Sequence, residues 1–160
     1  MERFPITREG YNRLRVELQR LEQQERPQVI QAIAEAREHG DISENAEFEA
    51  AKERQALVEG KINDLHNKLG QCEVVEVEND SNDRVIFGTT VDLEDLDSGE
   101  EVRYRLVGPY EADLAQGTIS VTSPIGRALI GKEPGDDVKV RTPGGTKNLE
   151  IIDVHYATES

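Results

Sequence analysis

The sequence predicts an α+β protein, in which an N-terminal antiparallel α-helical coiled-coil hairpin precedes a small antiparallel β-sheet domain with a short helix. Up to residue 70, apolar residues recur in alternating steps of three and four, which is the spacing of a coiled-coil seam. Beyond it the pattern changes to short β-rich runs separated by Gly, Asp, Asn and Pro. The 160 residues suffice for a hairpin over 1–75, with its tip at 40–45, and a domain over 80–160.

The first helix is predicted to begin near Arg8, with Thr7 as its N-cap. The apolar residues that follow are Leu14, Leu18 and Leu21. Their steps of four and three place them on one narrow stripe, which is typical of a helix that packs against a partner helix.

This stripe is interrupted at Glu25, and Pro27 has no backbone N–H to donate. We therefore expect the helix to bend or restart there, as one kinked helix rather than two. Further apolar residues continue the stripe at Val29, Ile30, Ile33 and Ala36. His39 and Gly40 are predicted to end the helix, because Gly suits the left-handed position just past a helix.

A second helix is predicted up to Gly70, and it also carries a mostly apolar stripe in steps of three and four. The members of this stripe are Phe48, Ala51, Gln55, Val58, Ile62, Leu65 and Leu69. Two such helices joined by a few residues form an antiparallel hairpin. Each arm has roughly 30 residues, or about 45 Å at the α-helical rise. The short connection favours closure within one chain, so we expect a monomer.

The β domain is predicted from six runs that are rich in strand-forming residues. These runs are 73–78, 84–93, 101–107, 118–121, 137–141 and 148–154. Ser123 is predicted to cap a short helix that has Pro124 at its first position and Gly131 at its end. The segment 143–145, Pro-Gly-Gly, predicts a hairpin turn.

The junction of the two long helices carries two acids, Asp41 and Glu44. One interpretation is structural, because an Asp N-cap with Glu three residues later resembles a capping box and complements the helix dipole. The other is functional, because two carboxylates at a hairpin tip can help to hold a metal ion or an activated water. The spacing alone favours capping and leaves both interpretations open.

Composition narrows the possible partners. Asp and Glu outnumber Lys and Arg by 33 to 19, which gives a net charge of −14 and predicts repulsion from bare DNA or RNA. Aromatic residues make up 4% of the chain and Trp is absent, which argues against base stacking.

Cys72 is the sole cysteine, so we interpret it as a buried apolar residue without a disulfide. The sequence shows no signal peptide or membrane span, and we expect a cytoplasmic protein without a membrane partner.

Several segments of the chain resemble the signature blocks of the bacterial Gre transcript cleavage factors, the GreA/GreB family. These segments are 34–41, 44–47, 50–53 and 123–132, and the closing 142–145 also falls where that family has it. The resemblance covers essentially the whole chain. It implies that the β domain is similar in fold to FK506-binding proteins, and that the chain is a transcription elongation factor rather than an enzyme.

In that family the coiled-coil hairpin enters the secondary channel of bacterial RNA polymerase, and the globular domain docks on a coiled coil of the largest subunit at the channel rim. The resemblance implies that this chain stimulates the polymerase's intrinsic cleavage of backtracked RNA and rescues arrested complexes. Its partners are then the polymerase and the 3′ end of the nascent RNA. It implies no cofactor of the chain's own, only a Mg²⁺ ion shared with the polymerase active site.

The resemblance also assigns roles to the tip. Asp41 and Glu44 match the acids that help to bind this Mg²⁺ and to position the attacking water. The resemblance implies that they bind the ion only within the polymerase complex. Ser43 and Asn45 flank these acids and are expected to support them.

Two further sets of residues follow from the resemblance. Cations that steer the RNA are expected at Arg37, Lys52 and Arg54, with a solvated helix face as an equally weighted alternative. Ser123 and Pro124 are expected to contact the polymerase rim, a role compatible with helix capping.

Three rival functions remain open. A Gre-like regulator that occupies the channel without promoting cleavage is the main alternative, although such relatives alter the tip acids. A prolyl isomerase is disfavoured, because its pocket needs converging aromatic residues. A scaffold hairpin is disfavoured as well, because it has no need of an acidic tip.

Overall fold

A computed structural model describes residues 3–39, 42–76 and 83–156. Contacts divide the chain into two compact units. One unit spans Tyr11–Gln71, and the other combines the segments on either side of it. The boundaries expected from the sequence, 1–75 and 80–160, differ from this division because they count residues 1–10 and 72–75 with the hairpin.

The helical unit is an antiparallel hairpin, as the sequence predicted. Its elements are α1 Arg8–Arg20, a π-helical turn Leu21–Glu25, α2 Arg26–His39 and α3 Ile42–Gln71. The helix α1 starts where Thr7 was expected to cap it, and α2 ends at His39 as expected. None of the helices in the described stretches is long and apolar enough to cross a membrane.

An apolar cluster along the hairpin joins its two arms. The buried members are Leu18, Leu21, Val29, Val58, Ile62 and Leu65, with Leu14, Ile33 and Leu69 packed against them. All nine belong to the stripes predicted from the sequence, which confirms the coiled-coil seam. Ile30 was also expected on the stripe, but its side chain is 52% exposed and lies outside this cluster.

The π-helical turn explains how the seam passes Pro27. The backbone N–H of Arg26 donates to the carbonyl of Leu21, five residues earlier. Leu21 and Val29 are one residue further apart than a heptad, yet both are buried in the same cluster. A π turn accommodates about one extra residue. The bend or restart expected at Pro27 is therefore, in the structure, a widened turn over Leu21–Glu25 that keeps both halves of the stripe on one face.

Two short parallel strands bracket the hairpin in the chain, β1 Phe4–Ile6 and β2 Cys72–Val74. The sequence did not predict β1, because a three-residue strand with Pro5 at its centre carries no alternating pattern. Cys72 is buried, as predicted. Burial raises the pKa of its thiol, and the nearby Glu111 carboxylate raises it further.

A five-stranded sheet forms the body of the other unit. Its strands are β3 Thr90–Asp95, β4 Glu101–Val107, β5 Thr118–Ser120, β6 Asp137–Thr142 and β7 Gly145–His155. Their order across the sheet is β5-β4-β3-β7-β6. All neighbours are antiparallel except β4 and β5, which are parallel. The prediction of a mostly antiparallel sheet is confirmed, as is the turn at Pro143-Gly144 between β6 and β7.

The run 84–93 contributes a strand only from Thr90 onward. Val85 is fully buried, but its backbone bonds elsewhere than the sheet. Its N–H donates to the carbonyl of Lys132, and its carbonyl accepts from the N–H of Gly131, both at 2.8 Å. Val85 is therefore apolar because it packs in the core beside the short helix α4, Pro124–Leu129, and not because it belongs to a strand.

A carboxylate from a distant loop completes the cap of α1. Gly10 donates its backbone N–H to the Thr7 hydroxyl at 3.0 Å, which confirms Thr7 as the N-cap. Glu111 accepts hydrogen bonds from the backbone N–H of Thr7 and of Gly108, both at 2.8 Å, and from the Thr7 hydroxyl. The Glu that a capping box takes from its own helix is thus supplied here from 104 residues away.

Candidate functional site

The predicted tip lies at the junction of α2 and α3. Asp41 falls outside the described residues, so its role stays a prediction. Ser43 and Glu44 lie in the first turn of α3, and the structure describes their backbone only. Asn45 follows in the same helix with an exposed side chain. The backbone therefore places these polar residues where one arm ends and the other begins.

The three cations expected to steer RNA differ in their surroundings. Arg37 places its guanidinium carbon 5.9 Å from the centroid of the Phe48 ring, across the hairpin. Lys52 is exposed. Arg54 forms an ion pair with Glu25 at 3.5 Å, beside the π turn. At 1.5 Å per residue, Arg54 lies roughly 18 Å along α3 from its start, so Arg37 is the cation nearer to the tip.

Hydrogen-bonded side-chain pairs along the sides of the hairpin connect its arms. Arg26 donates two hydrogen bonds of 2.7 Å to Glu59, one to each carboxylate oxygen. These bonds lower the pKa of Glu59 and raise that of Arg26. His66 lies 3.2 Å from Glu22 on the same arms. Both contacts are exposed, so each contributes little to the stability of the hairpin.

The residues expected to dock on a partner lie at the start of α4. The Ser123 hydroxyl accepts the N–H of Gly126 at 3.0 Å and donates to the carbonyl of Ser120 at 2.6 Å. Its capping role is thereby confirmed, while its docking role stays a prediction. Pro124 occupies the first helical position and is exposed.

An apolar groove lies beside α4, and the sequence did not predict it. Its volume is about 660 Å³, and its lining residues are Pro5, Val75, Ile86, Phe87, Val121, Arg127 and Ile130. Ile130 keeps 39% of its surface exposed. The groove draws on segments that are far apart in the sequence, so no local pattern marks it. We refer to this feature as the apolar groove.

A surface cluster on the sheet brings together Asp92, Asp153 and His155, whose ligand atoms lie within 4.8 Å of one another. Arg103 donates a 2.6 Å hydrogen bond to Asp92, and His155 approaches the same carboxylate at 2.7 Å. The Arg103 bond, aided by His155, lowers the pKa of Asp92. Because a guanidinium already neutralises this carboxylate, we assign no metal to the cluster.

Comparison with known proteins gives two family matches, which together cover most of the chain. Residues 80–156 match the family described as "Transcription elongation factor, GreA/GreB, C-term". Residues 4–74 match the family described as "Transcription elongation factor, N-terminal".

Individual relatives extend over nearly the full length. The chain is 60% identical to transcription elongation factor GreA of Syntrophobacter fumaroxidans over 154 residues, which cover 96% of this chain and 99% of the relative. It is 54% identical to GreA of Anaeromyxobacter sp. strain K, covering 99% and 96%. Among solved structures, Gfh1 of Thermus thermophilus is 31% identical with a TM-score of 0.43, covering 97% of this chain and 99% of that chain.

Proposed function

The chain belongs to the GreA/GreB family of transcription elongation factors, and from this premise we propose that it stimulates the cleavage of backtracked RNA by bacterial RNA polymerase. The observation that carries the proposal is the helical hairpin, whose two arms meet at the segment containing Asp41 and Glu44. In this proposal the protein supplies the tip acids and the polymerase supplies the catalytic centre. It is therefore an activator and not an enzyme by itself.

The donor set of the tip suits Mg²⁺. This ion is usually held by one or two carboxylates together with waters and phosphate oxygens, and Asp41 and Glu44 provide two carboxylates. When bound in the polymerase centre, Mg²⁺ supplies charge stabilisation and an activated water for phosphodiester cleavage. Two carboxylates are too few for a tight site, so the isolated protein is proposed to bind Mg²⁺ weakly. Ser43 and Asn45 are proposed to orient the acids.

The length of the hairpin supports a function that depends on reach. The helix α3 has 30 residues, which gives about 45 Å at the α-helical rise. The hairpin has little core apart from its seam. Its length therefore increases the distance that the tip can reach more than it increases the buried apolar surface. Entry of the tip into the secondary channel of the polymerase would use such an extent.

We propose that the apolar groove and the start of α4 together form the docking surface for the rim coiled coil of the largest polymerase subunit. The groove exposes apolar surface at Ile130, and the exposed Arg127 adds a cation to its lining. An apolar centre with a charged rim is typical of protein interfaces. Ser123 keeps its hydroxyl engaged in the cap, so its proposed contribution is to hold α4 and the exposed Pro124 in place.

The steering role of the cations is proposed to differ among them. Lys52 is exposed, and Arg37 lies near the tip. Arg54 shares the Glu25 carboxylate with Arg20, which lies at the same 3.5 Å. Part of its charge is thereby compensated within the hairpin. We therefore propose that Arg37 and Lys52 contribute more to RNA steering than Arg54 does.

The test is RNA cleavage in a stalled, backtracked bacterial polymerase complex with Mg²⁺. Asp41→Asn and Glu44→Gln are expected to lower the cleavage rate by about 10- to 100-fold, the range found for groups that tune a bound metal. Asn caps a helix as well as Asp does, so Asp41→Asn should retain the thermal stability of the parent.

Glu47→Gln is the matched control, because it removes one exposed acid from the same end of α3. It is expected to leave cleavage within about twofold of the parent, since a lone surface charge is weakly coupled to its surroundings. A parent that binds polymerase but releases no RNA would instead identify a channel-occupying regulator, with Asp41 and Glu44 as helix caps.

A further inference from the structure

Near the tip of the hairpin, a cation on one arm lies over an aromatic ring of the other. Arg37 on α2 and Phe48 on α3 form this pair, with 5.9 Å between the guanidinium carbon and the ring centroid. This distance is within the range at which an Arg is attracted to an aromatic face. Arg37 lies two residues before the end of α2 at His39, and Phe48 lies six residues after the start of α3 at Ile42.

The surroundings of Phe48 make its ring available to the cation. The buried seam residues nearest to the tip are small, namely Ala36 on α2 and Ala51 on α3, among those that the structure describes. Phe48 is half-buried and Arg37 is exposed. Among the side chains that the structure describes, the ring is therefore a large apolar surface at this end of the hairpin, and part of it remains exposed.

The chemistry of the pair leaves Arg37 able to bind an anion. The attraction to the ring is electrostatic and occupies at most part of the guanidinium, which has five N–H donors for hydrogen bonds. Those N–H groups match two oxygens of a phosphate. The ring also restricts a long side chain before any ligand arrives, which reduces the entropy lost on binding. An Arg held over a ring is thus better prepared for a phosphate than a free one.

We propose that Phe48 is a positioning residue, which holds the Arg37 guanidinium ready for a phosphate of the RNA 3′ segment. This inference rests on the proposed function, because the RNA is presented by the backtracked polymerase. It distinguishes Arg37 from Arg54, whose guanidinium is turned to the Glu25 carboxylate. It also gives a role to Phe48 beyond its place in the apolar stripe predicted from the sequence.

The experiment compares Phe48→Leu, Phe48→Trp, Arg37→Gln and the double variant Phe48→Leu/Arg37→Gln in the backtracked polymerase assay, at saturating concentrations of each factor. Phe48→Leu and Arg37→Gln are each expected to lower the cleavage rate by about two- to fivefold, the factor that corresponds to a cation–π pair. The double variant should be no slower than Arg37→Gln, because the ring acts through the cation. Phe48→Trp keeps an aromatic face and should retain the parent rate.

A second measurement reports the stack itself. In the parent and in Phe48→Trp, the side-chain methylene protons of Arg37 should show ring-current shifts by NMR, and Phe48→Leu should abolish them. Ile62→Val is the control for packing, because it removes one methyl group from the same seam far from the tip. It should lower the thermal stability of the hairpin without changing the cleavage rate.

The outcomes separate this inference from the proposed function. An active parent with an equally active Phe48→Leu would overturn the inference alone, as would losses that multiply in the double variant. An Arg37 signal without ring-current shifts would also overturn it. A parent that releases no RNA would overturn the proposed function and, with it, the positioning role.

Discussion

Glu111 shows how much local structure one side chain can determine. Its carboxylate accepts the backbone N–H groups of Thr7 and Gly108 and the Thr7 hydroxyl. Thr7 is 1% exposed, so these donors have little water available to replace the carboxylate. The Glu111 carboxylate also leaves no room for a side chain at position 10, because a Cβ at Gly10 would collide with it.

We expect Glu111→Gln to destabilise the unit that contains the sheet. The backbone N–H groups of Thr7 and Gly108 share one carboxylate oxygen, and the Thr7 hydroxyl donates to the other. An amide has one acceptor oxygen, so if that oxygen keeps the two backbone bonds, the NH₂ group faces the Thr7 hydroxyl, which loses its acceptor. A buried donor without a partner costs about 1–3 kcal/mol. Chemical denaturation monitored by far-UV circular dichroism checks the free energy of unfolding.

Glu101→Gln is the control for this change, because it removes a charge from an exposed position on β4. It should alter the free energy of unfolding by less than about 0.5 kcal/mol. Equal effects of the two substitutions would show that Glu111 acts only through the net charge of the protein.

At the scale of elements, the π turn follows from the spacing of the seam. Residues Leu21 and Val29 are one residue too far apart for a regular heptad, and the widened turn absorbs the difference. Pro27 suits such a turn, because a regular α-helix would need its missing N–H at that point. The interruption thus has two causes, and they can be separated by mutation.

We expect Pro27→Ala alone to leave the π turn in place, because the extra residue remains. Its effect on the free energy of unfolding should be smaller than the roughly 3 kcal/mol that Pro costs in a regular helix interior. Deletion of the exposed Gln24 combined with Pro27→Ala restores the heptad and should produce a continuous α-helix with a higher melting temperature. Amide hydrogen exchange over residues 22–26 checks both results. Equal protection in the two variants would identify Pro27, and not the spacing, as the cause.

Most of the helical elements were predictable because their signals are local. The seam, the Thr7 and Ser123 caps and the Pro143-Gly144 turn each depend on residues within a few positions of one another, and the structure contains all of them. Strand β1 and the Glu111 cap depend on residues brought together from distant parts of the chain. No periodic pattern encodes such pairings, so these two features could not be predicted from the sequence.

The candidate site divides in the same way. The two acids were found because they interrupt a strong helical pattern and match a known family. The cation–π contact of Arg37 with Phe48 was not predicted, although both residues were singled out in the sequence, because partners on opposite arms depend on the pairing of α2 with α3. The apolar groove was missed because its lining comes from several segments.

For the molecule as a whole, a net charge of −14 favours protein partners over bare nucleic acid. The apolar groove is the surface we propose for docking on the polymerase. Ile130→Glu places a charge in that groove and should weaken binding to polymerase by about 5- to 30-fold, the range for a central interface residue. A competition assay with labelled parent protein measures this change.

Leu114→Glu is the matched control, because it adds the same charge at another exposed apolar residue of the same unit. Its binding should stay within about twofold of the parent, as for substitutions outside an interface core. A similar loss in both variants would point to electrostatic repulsion by the whole protein and would remove the groove as the docking surface.

The parallel pairing of β1 with β2 has a consequence for how this protein can vary. Parallel neighbours cannot be joined by a tight turn and need a crossover connection of a dozen or more residues. The 61 residues of Tyr11–Gln71 serve as that crossover, far beyond the minimum. Whole heptads can therefore be gained or lost in both arms while the strand ends keep their places. The length of the arms can therefore change without a change in the pairing of β1 with β2.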